Sequence, residues 1–303
     1  MGGTRLPRGR PGRLTGWLAQ AGWPDRTGLA RTGLALAPGR LGLFVHTEAV
    51  PSGFLDHPGP IAIAHRGGAG HFPENSWPAF EHAVGLGYAY LETDAHATAD
   101  GQVVAFHDKT LDRATDGTGA IASLPYARVA AVRIGGSEPV PLLADLLGAW
   151  PDVRFNIDVK DDPAVGPLAE VLRRTAAWDR VCVTSFSGRR LSATRRALAR
   201  PVCTATAPAQ IGLIKSGFSR SVLSRRFARL CIQCAQVPVP VVNGGFVRRA
   251  HAAGLQVHVW TVNDPGLMGR LLDLGVDGIM TDQTAALREV LLGRGRWYPR
   301  QAA

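Results

Sequence analysis

The chain has 303 residues, of which 46% are hydrophobic and 19% charged, with a net charge of +10 at pH 7. That hydrophobic share excludes a chain disordered throughout, because disorder needs low hydrophobicity together with strong like charge. The only lysines are Lys109, Lys160 and Lys215, so 31 of the 34 basic residues are arginine; they are dispersed, and no stripe of basic and aromatic residues marks a nucleic-acid surface.

Residues 1–55 read as a basic, Gly/Pro/Arg-rich and flexible extension. Arg31 interrupts the apolar stretch from Gly28 to Ala37, which leaves neither the apolar core of a secretory signal nor the ~20 apolar residues of a membrane span. The default expectation is therefore a cytoplasmic protein. Trp17, Leu18 and Trp23 among arginines would suit peripheral contact with an anionic lipid surface.

From residue 56 to 295 the pattern changes to one domain of short apolar runs alternating with Ala/Leu/Arg-rich helical stretches. The runs begin at Ile61-Ala-Ile-Ala64, Ala89-Tyr-Leu91, Val103-Val-Ala-Phe106 and Val153 to Val159. They continue at Val181-Cys-Val183, Pro201 to Ala205, Ala235-Gln-Val237, Val257-His-Val259 and Gly278-Ile-Met280. About eight such strand–helix units in ~240 residues predict an α/β fold, a (β/α)8 TIM barrel. An open doubly wound sheet is the alternative, but the glycine fingerprint of dinucleotide binders is missing after the first strand. Asp94 and Val103 are too close in sequence for a helical crossover. Asp100-Gly101 is a turn signal, so an irregular link or hairpin is expected between the second and third strands. Ala207 to Val242 is poorly patterned and predicts an irregular or shortened part of the barrel. Four cysteines make no disulfide framework in a chain of this length, and Cys231-x-x-Cys234 has no second pair, so buried free thiols are expected.

Barrel enzymes carry their chemistry at the C-terminal ends of the strands. Here those ends read His65-Arg66-Gly67-Gly68, Glu92-Thr93-Asp94, His107-Asp108, Asp158-Val159-Lys160, Trp260-Thr261-Val262-Asn263-Asp264 and Thr281-Asp282. Charged groups are costly to bury, and a purely structural barrel has no reason to gather them at one rim. Glu92 and Asp94 are two apart on one strand, so their carboxylates point the same way and repel unless a cation or proton lies between them. With Asp158 they would form an all-oxygen site suited to Mg²⁺ or Ca²⁺. His65 and His107 could divide the roles of acid and base in phosphodiester cleavage.

His65-Arg66-Gly67, Pro73-Glu74-Asn75-Ser76, Glu92-Thr93-Asp94, Asp100-Gly101 and His107-Asp108 together resemble the signature of the glycerophosphodiester phosphodiesterases. Asn156 to Lys160, Trp260 to Asn263 and Asp277 to Asp282 are similar to that family's distal motifs. The resemblance implies hydrolysis of a small-molecule glycerophosphodiester to sn-glycerol 3-phosphate and an alcohol, with Mg²⁺ or Ca²⁺. It implies that His65 and His107 are the acid–base pair and that Glu92, Asp94 and Asp158 hold the metal. It places Arg66 and Lys160 on phosphate, Glu74 near the glycerol or metal, and Trp260 against substrate. Asp158 departs from the family's usual glutamate and is one methylene shorter; Ser76 replaces the commoner threonine. The same machinery would also serve a lysophospholipase D-like or cyclising phospholipase-type reaction. A non-catalytic anion-binding barrel is disfavoured because both histidines and the carboxylate pair are present.

Overall fold

Ile61–Ala64 is buried at every residue, which is what a strand walled in by helices requires: an apolar run without polar alternation. The computed structural model describes residues 52–301; the basic segment before residue 52, with the tryptophans expected to suit a lipid surface, lies outside the described residues. In chain order, β1 (Ile61–Ala64), α1 (Trp77–Gly85), β2 (Tyr90–Ala97) and β3 (Val103–Ala105) come first. They are followed by α2 (Tyr126–Val129), β4 (Arg133–Ile134), β5 (Glu138–Pro139), α3 (Leu143–Ala149) and β6 (Arg154–Val159). Then come α4 (Val165–Thr175), β7 (Val181–Thr184), α5 (Gly188–Ala197), β8 (Cys203–Ala205), α6 (Pro208–Lys215), α7 (Arg220–Arg229) and β9 (Ile232–Pro238). The last elements are α8 (Gly244–Ala252), β10 (Gln256–Trp260), α9 (Pro265–Asp273), β11 (Gly278–Thr281) and α10 (Thr284–Gly293).

Eight strands pair in parallel in the order β1, β11, β10, β9, β8, β7, β6, β2, and pairing of β1 with β2 closes the barrel. The (β/α)8 architecture expected from the alternation is therefore the one found. Register decides what the barrel mouth holds: Asp94 lies opposite Asp158, and Glu92 opposite Asn156.

One local expectation is met and one changes. The hairpin expected at Asp100-Gly101 forms, so the run at Val103 is not a barrel strand: β3 folds back antiparallel on the end of β2, with Ala95 opposite Ala105. His107 therefore reaches the mouth from a hairpin, and the third barrel strand is β6. The chain between them builds a small lobe with its own core of Val104, Phe106, Leu111, Ile121, Val129, Ile134 and Val140. The weakly patterned segment from Ala207 is instead regular: two helices, α6 and α7, carry the crossover to β9. On α7 only Leu223 and Phe227 are buried, a stripe of two residues at i, i+4 too thin to stand out among arginines.

At the opposite end, Phe54 plugs the barrel interior, its ring edge-on to Tyr90 at 5.3 Å, and Tyr90 Oη donates to the Phe54 carbonyl at 2.7 Å. The C-terminal segment returns to this end, where Trp297 packs on Tyr88 and Arg300 pairs with Asp152 at 2.7 Å. Among the described residues no helix is long and apolar enough to cross a membrane.

Candidate active site

β1 runs directly into the one-turn 3₁₀ helix His65–Gly67. Arg66, Gly67 and Gly68 all have positive φ, of 51°, 84° and 90°. A Cβ at Gly68 would lie 2.5 Å from Thr284 Cγ2, so the two glycines allow the turn to press against α1 and α10. The turn aims the Arg66 amide inward, where it donates to Glu92 Oε2 at 2.9 Å. Asn75, also at positive φ, receives the other side of this loop: its amide donates to the Arg66 carbonyl at 2.9 Å. Its side chain donates to Asp94 Oδ2 at 2.9 Å and accepts from Thr93 Oγ1 at 2.8 Å. The Pro-Glu-Asn-Ser segment thus latches the β1 loop to β2.

The two histidines are oriented by carboxylates. His65 Nδ1 lies 2.7 Å from Asp282 Oδ1, and Asn263 Nδ2 holds the other Asp282 oxygen at 2.9 Å. The opposite ring nitrogen, Nε2, is 4.0 Å from Glu92. His107 Nδ1 lies 2.7 Å from Asp108 Oδ1. The two environments differ in sign. Burial works against the charged form of His65, but the Asp282 hydrogen bond and the Glu92 charge outweigh it and hold the pKa above that of a free histidine. At His107 burial, with the Lys160 and Arg66 charges, outweighs Asp94 and Asp108 and holds the pKa below it.

The carboxylates stand where the strand register puts them. Asp94 Oδ1 and Asp158 Oδ2 share the Lys160 ammonium, at 2.8 and 2.7 Å. Burial opposes the Asp94 charge, but Lys160 and Arg66 hold the acid far below the usual carboxylate range. Glu92 goes the other way: burial and the neighbouring Asp94 charge push it up to about 7. Arg66 pairs with Glu74 at 3.0 Å, and Arg113 binds both Glu74 and Asp108. Trp260 packs edge-on to Phe186, with ring centroids 5.5 Å apart, and the Lys160 ammonium lies 5.7 Å from the Phe186 ring. All nine residues singled out in the sequence lie on the loops and strand ends at this mouth. The sequence assigned no role to Asp282, Asn75 or His96. His96 follows Asp94 by two on the same strand face, which was its signal. It lies 2.6 Å from Asp161 through Nδ1 and 3.2 Å from the His107 carbonyl through Nε2, supporting the backbone that carries the second histidine.

The donors fit a hard divalent cation in kind. They are oxygens only, and Asp158 Oδ1 is buried without a hydrogen-bond partner. Charge points the same way: Asp94 and Asp158 share the single Lys160 ammonium, and Glu92 beside them is pushed up by burial and the Asp94 charge, so the cluster is short of positive charge. The fit in geometry is looser, because one oxygen from each of Glu92, Asp94 and Asp158 does not come within 4.8 Å of the other two.

Residues 65–286 match the model of the glycerophosphoryl diester phosphodiesterase family. A Mycobacterium tuberculosis protein named as a probable glycerophosphodiester phosphodiesterase is 42% identical over 253 residues, covering 80% of this chain and 95% of that protein. A crystal structure from Silicibacter pomeroyi superposes with a TM-score of 0.69 at 26% identity, over 82% of this chain and 99% of the other. An Oleispira antarctica phosphodiesterase, solved in complex with the product sn-glycerol-3-phosphate, shares the fold with a TM-score of 0.66 at 24% identity, over 77% of this chain and 96% of that one.

Proposed function

The chain belongs to the glycerophosphoryl diester phosphodiesterase family, and from that membership we propose that it hydrolyses small glycerophosphodiesters to sn-glycerol 3-phosphate and an alcohol, with His107 as base and His65 as acid. The observation that carries the reading is the pair of histidines oriented by carboxylates at one barrel mouth, His65 on Asp282 and His107 on Asp108, and the opposite directions in which their surroundings push the two rings divide the roles between them. A ring held below the ordinary histidine range is neutral near pH 7 and can accept the proton of the attacking hydroxyl. A ring held above it keeps a proton to give the departing alkoxide. Asp282 fixes His65 with its Nδ1 side occupied and its Nε2 side turned toward the carboxylate cluster. Arg66 and Lys160 are the cations within reach of the phosphoryl oxygens, and each would exchange a carboxylate partner for phosphate as the diester enters. A divalent cation held by Glu92, Asp94 and Asp158 would supply the missing positive charge and offset charge developing on phosphorus-bound oxygen. Trp260 with Phe186 forms the apolar wall beside this centre.

The test is direct. Purified protein is given glycerophosphocholine and glycerophosphoethanolamine with Mg²⁺, Ca²⁺ or EDTA, and released glycerol 3-phosphate is measured. Release with a divalent ion and its loss in EDTA are expected. No release with any divalent ion would sink the catalytic assignment, and full activity in EDTA would remove the cation from it.

A further inference from the structure

Cys182, Cys203 and Cys234 stand on three successive barrel strands, β7, β8 and β9, and all three are buried. Cys182 lies opposite Cys203, and a register shift between Thr204 and Ala205 sets Ala205 opposite Cys234. The three side chains belong to the same interior layer as Phe54, Ile61 and Met280. Cys182 is level with Asn156, two residues below Asp158, which puts the thiols roughly 7 Å beneath the carboxylates of the mouth.

The sulfurs are close together. One sulfur from each residue lies within 4.8 Å of the other two, the only such grouping of His, Cys, Asp or Glu ligand atoms among the described residues. The separation of Cys182 and Cys234 is 3.8 Å. Zinc–sulfur bonds of ~2.3 Å in a tetrahedron put sulfurs ~3.8 Å apart, whereas a disulfide needs ~2.05 Å. Two polar side chains reach this otherwise apolar layer. Gln236 Nε2 donates to the Cys234 sulfur at 3.9 Å, and His258 on β10 is buried with Nδ1 unpartnered. A buried nitrogen without a partner is costly unless something fills its lone pair.

We propose that Cys182, Cys203 and Cys234, with His258 turning toward Cys234 as the fourth ligand, form a structural Zn²⁺ site inside the barrel, separate from the catalytic mouth. Three soft thiolates and an imidazole select such an ion over the Mg²⁺ or Ca²⁺ suited to the oxygen donors above. Because the ligands come from four strands, the ion would close that side of the barrel and load during folding.

Cobalt tests this spectroscopically. Full-length protein is unfolded with reductant and chelator, then refolded with Co²⁺. The expected result is an intense near-ultraviolet thiolate-to-cobalt band that saturates at one equivalent per chain and bleaches on adding Zn²⁺. Oxygen ligands at the mouth give no such band. Cys182→Ser and Cys234→Ser should lose it, and Cys231→Ser, which alters a thiol outside the cluster, should keep it. Refolded wild-type protein without the band overturns the proposal even where the variants fail to fold, and so does its full retention in Cys234→Ser.

Discussion

At the scale of one residue, the Asp282 bond to His65 helps raise that ring's pKa, so the acid role proposed for His65 should be lost only as pH climbs through the raised value. Asp282→Asn removes the carboxylate charge, lowers the pKa, and should move the alkaline limb of kcat to lower pH. A purely structural contribution would scale the whole profile and leave the limb in place. His65→Ala and His107→Ala should each reduce kcat on the order of 10²-fold or more, measured by glycerol 3-phosphate release, because the proposed mechanism gives each ring a proton transfer. The sequence exposed both histidines, since each follows an apolar run. It did not expose Asp282 as the partner of His65, because 217 residues separate them and only closure of β1 on β11 joins them.

The loop after β1 is the element on which the site depends. Gly68→Ala would force a Cβ into Thr284 at a φ that disfavours any side chain, and should cost about 1–3 kcal/mol of stability in denaturant unfolding. Asn75→Ala removes the latch on Asp94 and Thr93, leaving buried partners unsatisfied, at about 1–3 kcal/mol by the same measurement. Its activity should fall further than stability alone explains, because Asp94 loses one of the bonds that hold it in place. The β2–β3 hairpin makes the complementary point. Asp100-Gly101 and the short link after Asp94 announced a hairpin, but nothing local indicated the lobe that follows it. That outcome follows from the lobe core around Phe106 and Leu111, which draws the chain outward before β6 enters.

At the scale of the whole molecule, Phe54 and the C-terminal return close the end of the barrel away from the chemistry. Phe54→Ala should open a cavity against Tyr90 and lower stability by about 3–5 kcal/mol, while leaving KM for the diester close to the wild-type value. A large change in KM would mean that the two ends are coupled. The sequence by itself determined the barrel, the residue types at its mouth and the pairing of Glu92 with Asp94, because these rest on local periodicity: period two along a strand, and alternation of strand with helix. Tertiary structure alone decided the rest. Strand register set Asp94 beside Asp158 with Lys160 between them, barrel closure gave His65 its carboxylate, and three cysteines 21 to 52 residues apart came within reach of one another on adjacent strands. The physical reason is range. Backbone geometry is written by neighbours in sequence, whereas pKa values and ligand sets are written by neighbours in space.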